Sequence, residues 1–427
     1  VRPSARAWYG AGEASNAVTL LLFALLARLL GVEPYGELVA IVASTAILGA
    51  LAEFGFHTLL ARTVARDPVR AWTDLRSALA RQVWIGPPML LLLYGYMQWA
   101  DLSTSSYLAG ILVGVSVWCK SLKESLRGVS RGLSRFDLEA VFLWTERLGL
   151  LVLSVAAVLL GGGLTAIGAV FLVVRAVDLA AFFVVIRRSL DRSASARAVS
   201  LERSRPSHPS VHWLAAWPFA MSNLLFMMYY QVDVTMLAAL STTREAGLYG
   251  AVYRFVDALQ VIPRLVIVVA FPAMALAWST DPVRFRRTLH RLQRTLLAIG
   301  LPVLLTVFLW SEQLLVLAFG PEFADGSIAL RLVVAGNLFA FQSLLLAQAM
   351  QTSAHERPLA GILAGTVLFN VVMNATLIPT RGVRGAAEAT AMTEALYLLL
   401  LAAYALRGSV GILRDPAPAR PEPGGAA

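Results

Sequence analysis

Polar and apolar residues in this chain are sorted into long blocks. Apolar runs of about twenty residues recur at 12–30, 35–57, 82–100, 106–122, 138–160, 163–186, 212–240, 246–277, 293–318, 328–350, 358–379 and 384–406. Strands are far shorter, and a helix of about 20 residues spans the roughly 30 Å hydrocarbon core of a bilayer. The pattern therefore predicts an all-α polytopic membrane protein with twelve transmembrane helices. Arg2 and Arg6 stand ahead of the first run as they would in a signal peptide. The second run follows so closely that the first reads as an uncleaved helix.

Composition agrees with the pattern. Hydrophobic residues make up 58% of the chain and charged residues only 15%, where soluble proteins carry about 25% charged residues. The formal charge of +10 could suggest a nucleic-acid partner. The basic residues sit in short segments between apolar runs, however, where they set topology and touch anionic headgroups. Membrane lipids are thus expected neighbours and nucleic acid is not. The single cysteine, Cys119, rules out an internal disulfide and makes no cysteine-based metal site.

The Lys and Arg residues also orient the chain. With the N-terminus inside, 27 of the 36 lie in or at the edges of inner segments, and 3 lie in outer loops. That asymmetry predicts both termini on the cytoplasmic side. The longest polar linker, RRSLDRSASARAVSLERSRPSHPS at 187–210, has six runs before it and six after it. We therefore expect one lobe over 1–186, a cytoplasmic basic linker over 187–210 and a second lobe over 211–406. A Pro/Ala/Gly-rich cytoplasmic tail over 407–427 is expected to be disordered. Ala14-Ser15-Asn16 is echoed by Met221-Ser222-Asn223, and Tyr35-Gly36 by Tyr249-Gly250. Both copies start from the same side, as in a parallel repeat.

Charges inside the runs are the candidate chemistry. Asp233 lies in the apolar run 212–240, where a carboxylate at a helix centre costs about 2.5–3.5 kcal/mol. At about 1.5 Å per residue, Asp233 and Arg254 lie about 10 and 12 Å below the outer surface. Asp257 follows Arg254 by one helical turn. These three are expected to form a buried cluster, which could equally be a structural ion pair. In the first lobe, Arg147 beside Glu146 and Arg175 beside Asp178 share a depth about 10–12 Å from the cytoplasmic side. They could hold surplus positive charge or neutralise each other. Arg28, Arg331, Glu53 and Arg264 lie toward the run ends and read as snorkelling groups.

Several stretches resemble the polysaccharide and O-antigen flippases. They are RLLGVEPYG (28–36), AEFGFHTLLAR (52–62), ESLRGVSRGLSRF (124–136), WPFAMSNLLFMMYYQVDVTMLAAL (217–240), EAGLYGAVYRF (245–255) and FPAM (271–274). The superfamily also holds the multidrug and toxin extrusion (MATE) transporters and the lipid II flippases. The resemblance lies in the order and spacing of the pieces and covers 1–406. It implies two six-helix lobes around a central cavity. It also implies a lipid-linked oligosaccharide on undecaprenyl pyrophosphate, moved across the bacterial inner membrane by alternating access. Lipopolysaccharide or O-antigen synthesis would be the setting, with a polysaccharide polymerase and glycosyltransferases as partner enzymes.

The resemblance gives the charged residues roles. Guanidinium groups bind phosphate oxygens in pairs, so Arg147, Arg175 and Arg254 are the expected contacts for a pyrophosphate. Asn223, Asn337 and Asn370 are expected to meet sugars, together with Asn16, Gln231, Gln342 and Asn374; each could instead serve interhelical hydrogen bonding. Asp233, Asp257, Asp178 and Glu394 are the candidates for coupling or gating, with H+ or Na+ as the coupling ion and no other cofactor. Pro218 and Pro263 are candidate hinges, with a static kink as the alternative. No phosphate-binding Gly-rich loop, no HExxH and no catalytic residue is recognised. A membrane-embedded polymerase or glycosyltransferase would present paired carboxylates outside the bilayer. The longest outer loop, 311–327, spreads Glu312, Glu322 and Asp325 among apolar residues. A MATE-type exporter of organic cations would want an acidic aromatic cavity, and a lipid II flippase often has further helices.

Overall fold

The computed structural model describes residues 12, 14–197, 211–353 and 355–407. The expected tail beyond 407 and most of the polar linker lie outside the described residues. Among the described residues there are α-helices and short 3-10 turns, and no strand. The helices are α1 (Asn16–Leu30), α2 (Val32–Glu53), α3 (Phe56–Arg66), α4 (Ala71–Val83), α5 (Gly86–Trp99), α6 (Thr104–Gly132), α7 (Phe136–Leu159) and α8 (Leu164–Arg197). Then follow α9 (Trp213–Leu240), α10 (Thr243–Leu259), α11 (Val261–Thr280), α12 (Pro282–Leu309), α13 (Ser311–Phe319), α14 (Ser327–Thr352) and α15 (Glu356–Ala405). This is an all-α, multi-pass membrane protein.

Among the described residues eight helical segments are long and apolar enough to cross a membrane, against twelve expected runs. The difference comes from where helices break. Helices α1 and α5, of 15 and 14 residues, reach only about 22 Å at 1.5 Å per residue. Run 246–277 is interrupted at Gln260 between α10 and α11, and run 293–318 at Trp310 between α12 and α13. The last two runs are two helices within α15 that meet at a kink at Gly382, whose φ of 53° and ψ of −132° are non-helical.

The expected inner loop over 58–81 is helical instead. Phe54 and Gly55 both take left-handed backbone angles and end α2. The chain then restarts as α3, which buries Phe56, Leu59, Leu60 and Val64, and as α4, which buries Ala71, Asp74, Leu75, Ala78 and Gln82. Those positions repeat at three- and four-residue intervals, so one face of each helix is apolar. Gln82 closes the junction. Its amide donates to the Ala52 and Glu53 carbonyls that α2 leaves open, and its oxygen accepts from Ser125.

The chain packs as two compact units. The first holds the residues up to Arg254 together with Val316–Phe323, and the second holds Phe255–Leu315 and the residues from Ala324 onward. Small residues line one seam of the first unit. In the first unit α2 meets α9 and α10 through Ala40, Ala238 and Ala246. A Cβ at Gly36 would sit 1.8 Å from the Thr243 carbonyl oxygen, and one at Gly247 2.4 Å from that of Val32. Lipid tails are as apolar as leucine, so close backbone approach is what holds such helices together.

A clasp ends this seam. The Arg28 guanidinium donates to the Val316, Leu317 and Ala318 carbonyls at the end of α13, with Nε 2.9 Å from the Ala318 oxygen. In return Glu322 accepts from the Val32 N–H at the start of α2, at 3.1 Å. Each charge thus sits at the helix end that favours it. Arg28 is therefore a helix cap and not a free snorkelling group. In the second unit, Leu289, Leu296, Leu345, Met350 and Leu401 belong to one buried cluster.

Gly36→Ala should destabilise the purified protein by about 1–3 kcal/mol, the usual penalty of overpacking. Thermal unfolding in detergent would show it, and an unchanged midpoint would mean that the seam can widen.

Candidate functional site

The first unit carries a row of charges on one face of α6. Ser116, Lys120, Lys123, Glu124, Arg127 and Arg131 follow one another at helical spacing. The helix has 29 residues and so runs about 43 Å, longer than a hydrocarbon core of about 30 Å. Its polar stripe therefore begins inside the expected run and continues beyond it.

At the centre stands Lys123, only 2% exposed. Its ammonium donates to Glu146 of α7 and, at 2.6 Å, to Asp178 of α8. Glu146 also accepts from Arg175 Nε at 3.1 Å, and the Arg175 guanidinium reaches Ser116 at 3.0 Å. Asp178 further accepts from the Thr145 hydroxyl. The expected Arg175–Asp178 pairing is thus replaced by Arg175–Glu146 and Lys123–Asp178. One turn of α8 would allow the first, but Lys123 reaches in from α6 and takes Asp178. Arg147 points elsewhere and donates to Ser15, because adjacent residues on a helix face different ways.

A second group continues along the stripe. Arg127 holds Glu124 and Glu139, at 2.6 and 2.5 Å, and Arg131 shares Glu139 at 2.5 Å. Beside it, Glu53 accepts from the Asn223 amide of α9 at 2.7 Å. His57 Nδ1 lies 3.7 Å from the Glu53 carboxylate, and the buried His57 Nε2 has no partner among the described residues. Glu53 was expected to snorkel; it instead links α2 to α9.

Lys120 differs from its neighbours on the stripe. It is exposed, and among the described residues it has no hydrogen bond or ion pair. Arg175 and Lys123 lie close enough to repel it, and Glu146 and Glu124 close enough to attract it. Lys120 thus stands beside the buried ion pairs on the same face of α6. Sequence reading missed Lys123 because the apolar run seemed to end at 122, and Lys120 because it was counted with the basic residues at the edge of the inner segment. The signal that could have found them was spacing: both continue the register of Ser116 and Arg127.

The remaining candidates sit on α9, α10, α11, α14 and α15. Asp233 is 1% exposed and accepts from the Tyr249 and Tyr253 hydroxyls at 3.2 and 3.0 Å. The Arg254 guanidinium lies 4.3 Å over the ring of Phe23, a cation–π contact. Asp257 belongs to the second unit. There Asn337 accepts from Gln260 and donates to the Val333 carbonyl, both at 3.1 Å. Asn370 donates to Thr393 and accepts from Asn374. Asn337 and Asn370 are 3% and 2% exposed, so their amides have protein partners out of water. Arg331 Nε donates to Ser311 at 2.8 Å. Glu394 is half-buried on α15. Pro218 lies inside α9, and Pro263 lies in the first turn of α11, where a missing N–H costs little. Among the described residues no cluster of His, Cys, Asp and Glu is placed to hold a metal ion.

The family profile for polysaccharide biosynthesis proteins matches residues 10–278. The chain belongs to this family. The match takes in the whole charged stripe of α6 and its partners. A probable low-salt glycan biosynthesis flippase of Haloferax volcanii is 21% identical over 178 residues, covering 41% of this chain and 38% of that protein. A probable flippase of the same organism is 26% identical over 184 residues, covering 42% of this chain and 38% of that protein. Each alignment thus spans under two-fifths of the relative's length. Among solved structures, a lipid II flippase in an inward closed conformation superposes with a TM-score of 0.72, at 14% identity, over 93% of this chain and 87% of that one. An inward-facing multidrug resistance MATE family transporter superposes with a TM-score of 0.67, at 14% identity, over 97% and 96%. At such identities the likeness is one of fold.

Lys123→Met leaves Glu146 and Asp178 without their shared partner and should cost about 3–5 kcal/mol, as when a buried pair loses one member. Unfolding of the purified protein would measure this. The triple change Lys123→Met, Glu146→Gln, Asp178→Asn should recover part of the loss.

Proposed function

We propose that the protein is a flippase of polysaccharide biosynthesis rather than an enzyme. It carries a lipid-linked oligosaccharide from one leaflet to the other by alternating access. Family membership and the descriptions of the two Haloferax relatives support the class of activity. The observation that carries the reading to a site is Lys120. An exposed ammonium that Lys123 and Arg175 repel and Glu146 and Glu124 attract, with no hydrogen bond or ion pair among the described residues, is suited to an anion brought from outside. The pyrophosphate of a polyprenyl carrier such as undecaprenyl pyrophosphate supplies one. Arg175, bound to Glu146, positions the site more than it contacts the ligand.

On this reading sugars meet the half-buried amides and hydroxyls nearby, including Asn223. The Arg28–Glu322 clasp and the Gly36–Gly247 contact are interactions that part when substrate leaves on that side. Asp233, buried between two tyrosines, is the carboxylate we assign to coupling with H+ or Na+. The inner membrane of a bacterium, cytoplasmic termini and a service to O-antigen or other surface polysaccharide complete the proposal.

Transport of a fluorescent polyprenyl pyrophosphate sugar into proteoliposomes tests it. Lys120→Gln should slow transport about tenfold, the effect of losing one charge-assisted contact of roughly 1.4 kcal/mol, while Lys120→Arg keeps most of it. Equal transport by wild type and Lys120→Gln would remove Lys120 from the substrate path. Arg254→Ala should also reduce transport with no loss of folded protein in the membrane; wild-type transport by that variant would exclude Arg254 from the mechanism.

A further inference from the structure

A second cationic row lies in the second unit, on α12. Asp281 starts this helix by accepting from the Arg284 N–H at 2.9 Å, with Pro282 in the first helical position. From there to Leu309 the helix contains five arginines and no acidic residue. Arg284, Arg287, Arg291 and Arg294 are all exposed and follow at three- and four-residue steps. Among the described residues none of their side chains makes a hydrogen bond or an ion pair. The fifth, Arg286, falls off this register and is 7% exposed.

The row continues as an apolar one. Leu301, Leu305 and Leu309 extend the same face down the helix and are 52%, 52% and 54% exposed. The opposite face is anchored, with Phe285, Leu289 and Leu296 fully buried. One exposed stripe thus passes from guanidinium groups to leucines without a break. Its chemistry runs in the order of a phospholipid, anionic head above acyl chain.

Helix energetics do not explain the row. Cations in the first turns oppose the positive end of the helix macrodipole. Topology does not explain it either, because the orientation rule counts charges near the membrane and is indifferent to their register. Four unpaired guanidinium groups in one register, at the boundary with lipid-facing leucines, fit a file of phosphate oxygens.

We propose that this face of α12 binds anionic glycerophospholipid of the surrounding leaflet. Phosphate groups bridge Arg287, Arg291 and Arg294, and the acyl chains lie along Leu301 and Leu305. Arg284 extends the headgroup contact by a further turn. The bound lipid neutralises the row and holds the polar end of α12 at the membrane surface.

The full-length protein, reconstituted in equimolar phosphatidylcholine and phosphatidylglycerol, is extracted and its retained phospholipid weighed by native mass spectrometry. Wild type should retain phosphatidylglycerol over phosphatidylcholine by at least about fivefold, and the preference should fall as salt is raised. Arg287→Gln/Arg291→Gln/Arg294→Gln should abolish the preference. A second variant keeps charge and composition but moves two guanidinium groups off the face: Arg291→Leu with Leu292→Arg, and Arg294→Gln with Gln293→Arg. It should lose most of the preference as well. Equal retention of the two lipids by wild type would overturn the proposal. So would full preference in the rearranged chain, since charge count alone would then suffice. If the triple variant does not fold, the salt dependence of the wild type and the rearranged chain still decide.

Discussion

The Lys123 ammonium between Glu146 and Asp178 is the interaction around which the first unit is organised. A charge near the centre of a bilayer costs about 2.5–3.5 kcal/mol on the insertion scale, so no one of α6, α7 and α8 could hold its charged residue there alone. Together they satisfy one another. Lys123 contributes from α6, Glu146 from α7, and Asp178 and Arg175 from α8. The geometry of the three helices is thereby constrained at one level. The face they share is polar inside and apolar outside, with Leu148 and Val177 among the exposed side chains.

That constraint also explains why Lys120 is chemically available. Each carboxylate near the stripe already serves a neighbour, Glu146 and Asp178 at one end and Glu124 and Glu139 at the other. The next cation on the same face has no partner left. Packing of small residues has a complementary role. It brings α9 and α10 against α2, so Asn223 can reach Glu53 and Arg254 can lie over Phe23.

Much of the fold was legible in the order of polar and apolar blocks, and much of the site was not. The apolar run ending at 122 hid Lys123, because a run is drawn where hydropathy falls and a helix ends where backbone geometry breaks. The α6 helix continues to Gly132, so its charges are helix charges and not loop charges. For the same reason 58–81 read as a basic loop, although its apolar residues repeat at helical intervals in α3 and α4. Arg175 and Asp178 stood out in the sequence as charges within an apolar run, yet each pairs with a residue of another helix. Proximity along one helix is visible in sequence, whereas the arrival of Lys123 from another helix is not.

The chain by itself determined the helical class, the many membrane crossings and the presence of charges that must be shielded. Those follow from block length and from the cost of an ion in hydrocarbon, and both are local properties. Partnership was decided only by the tertiary structure. Which carboxylate neutralises which cation, and which ammonium remains over, depends on distances between helices that lie tens of residues apart. Side chains such as Glu53 and Arg28 acquire a task only when another segment reaches them, because a hydrogen bond needs its acceptor within about 3 Å.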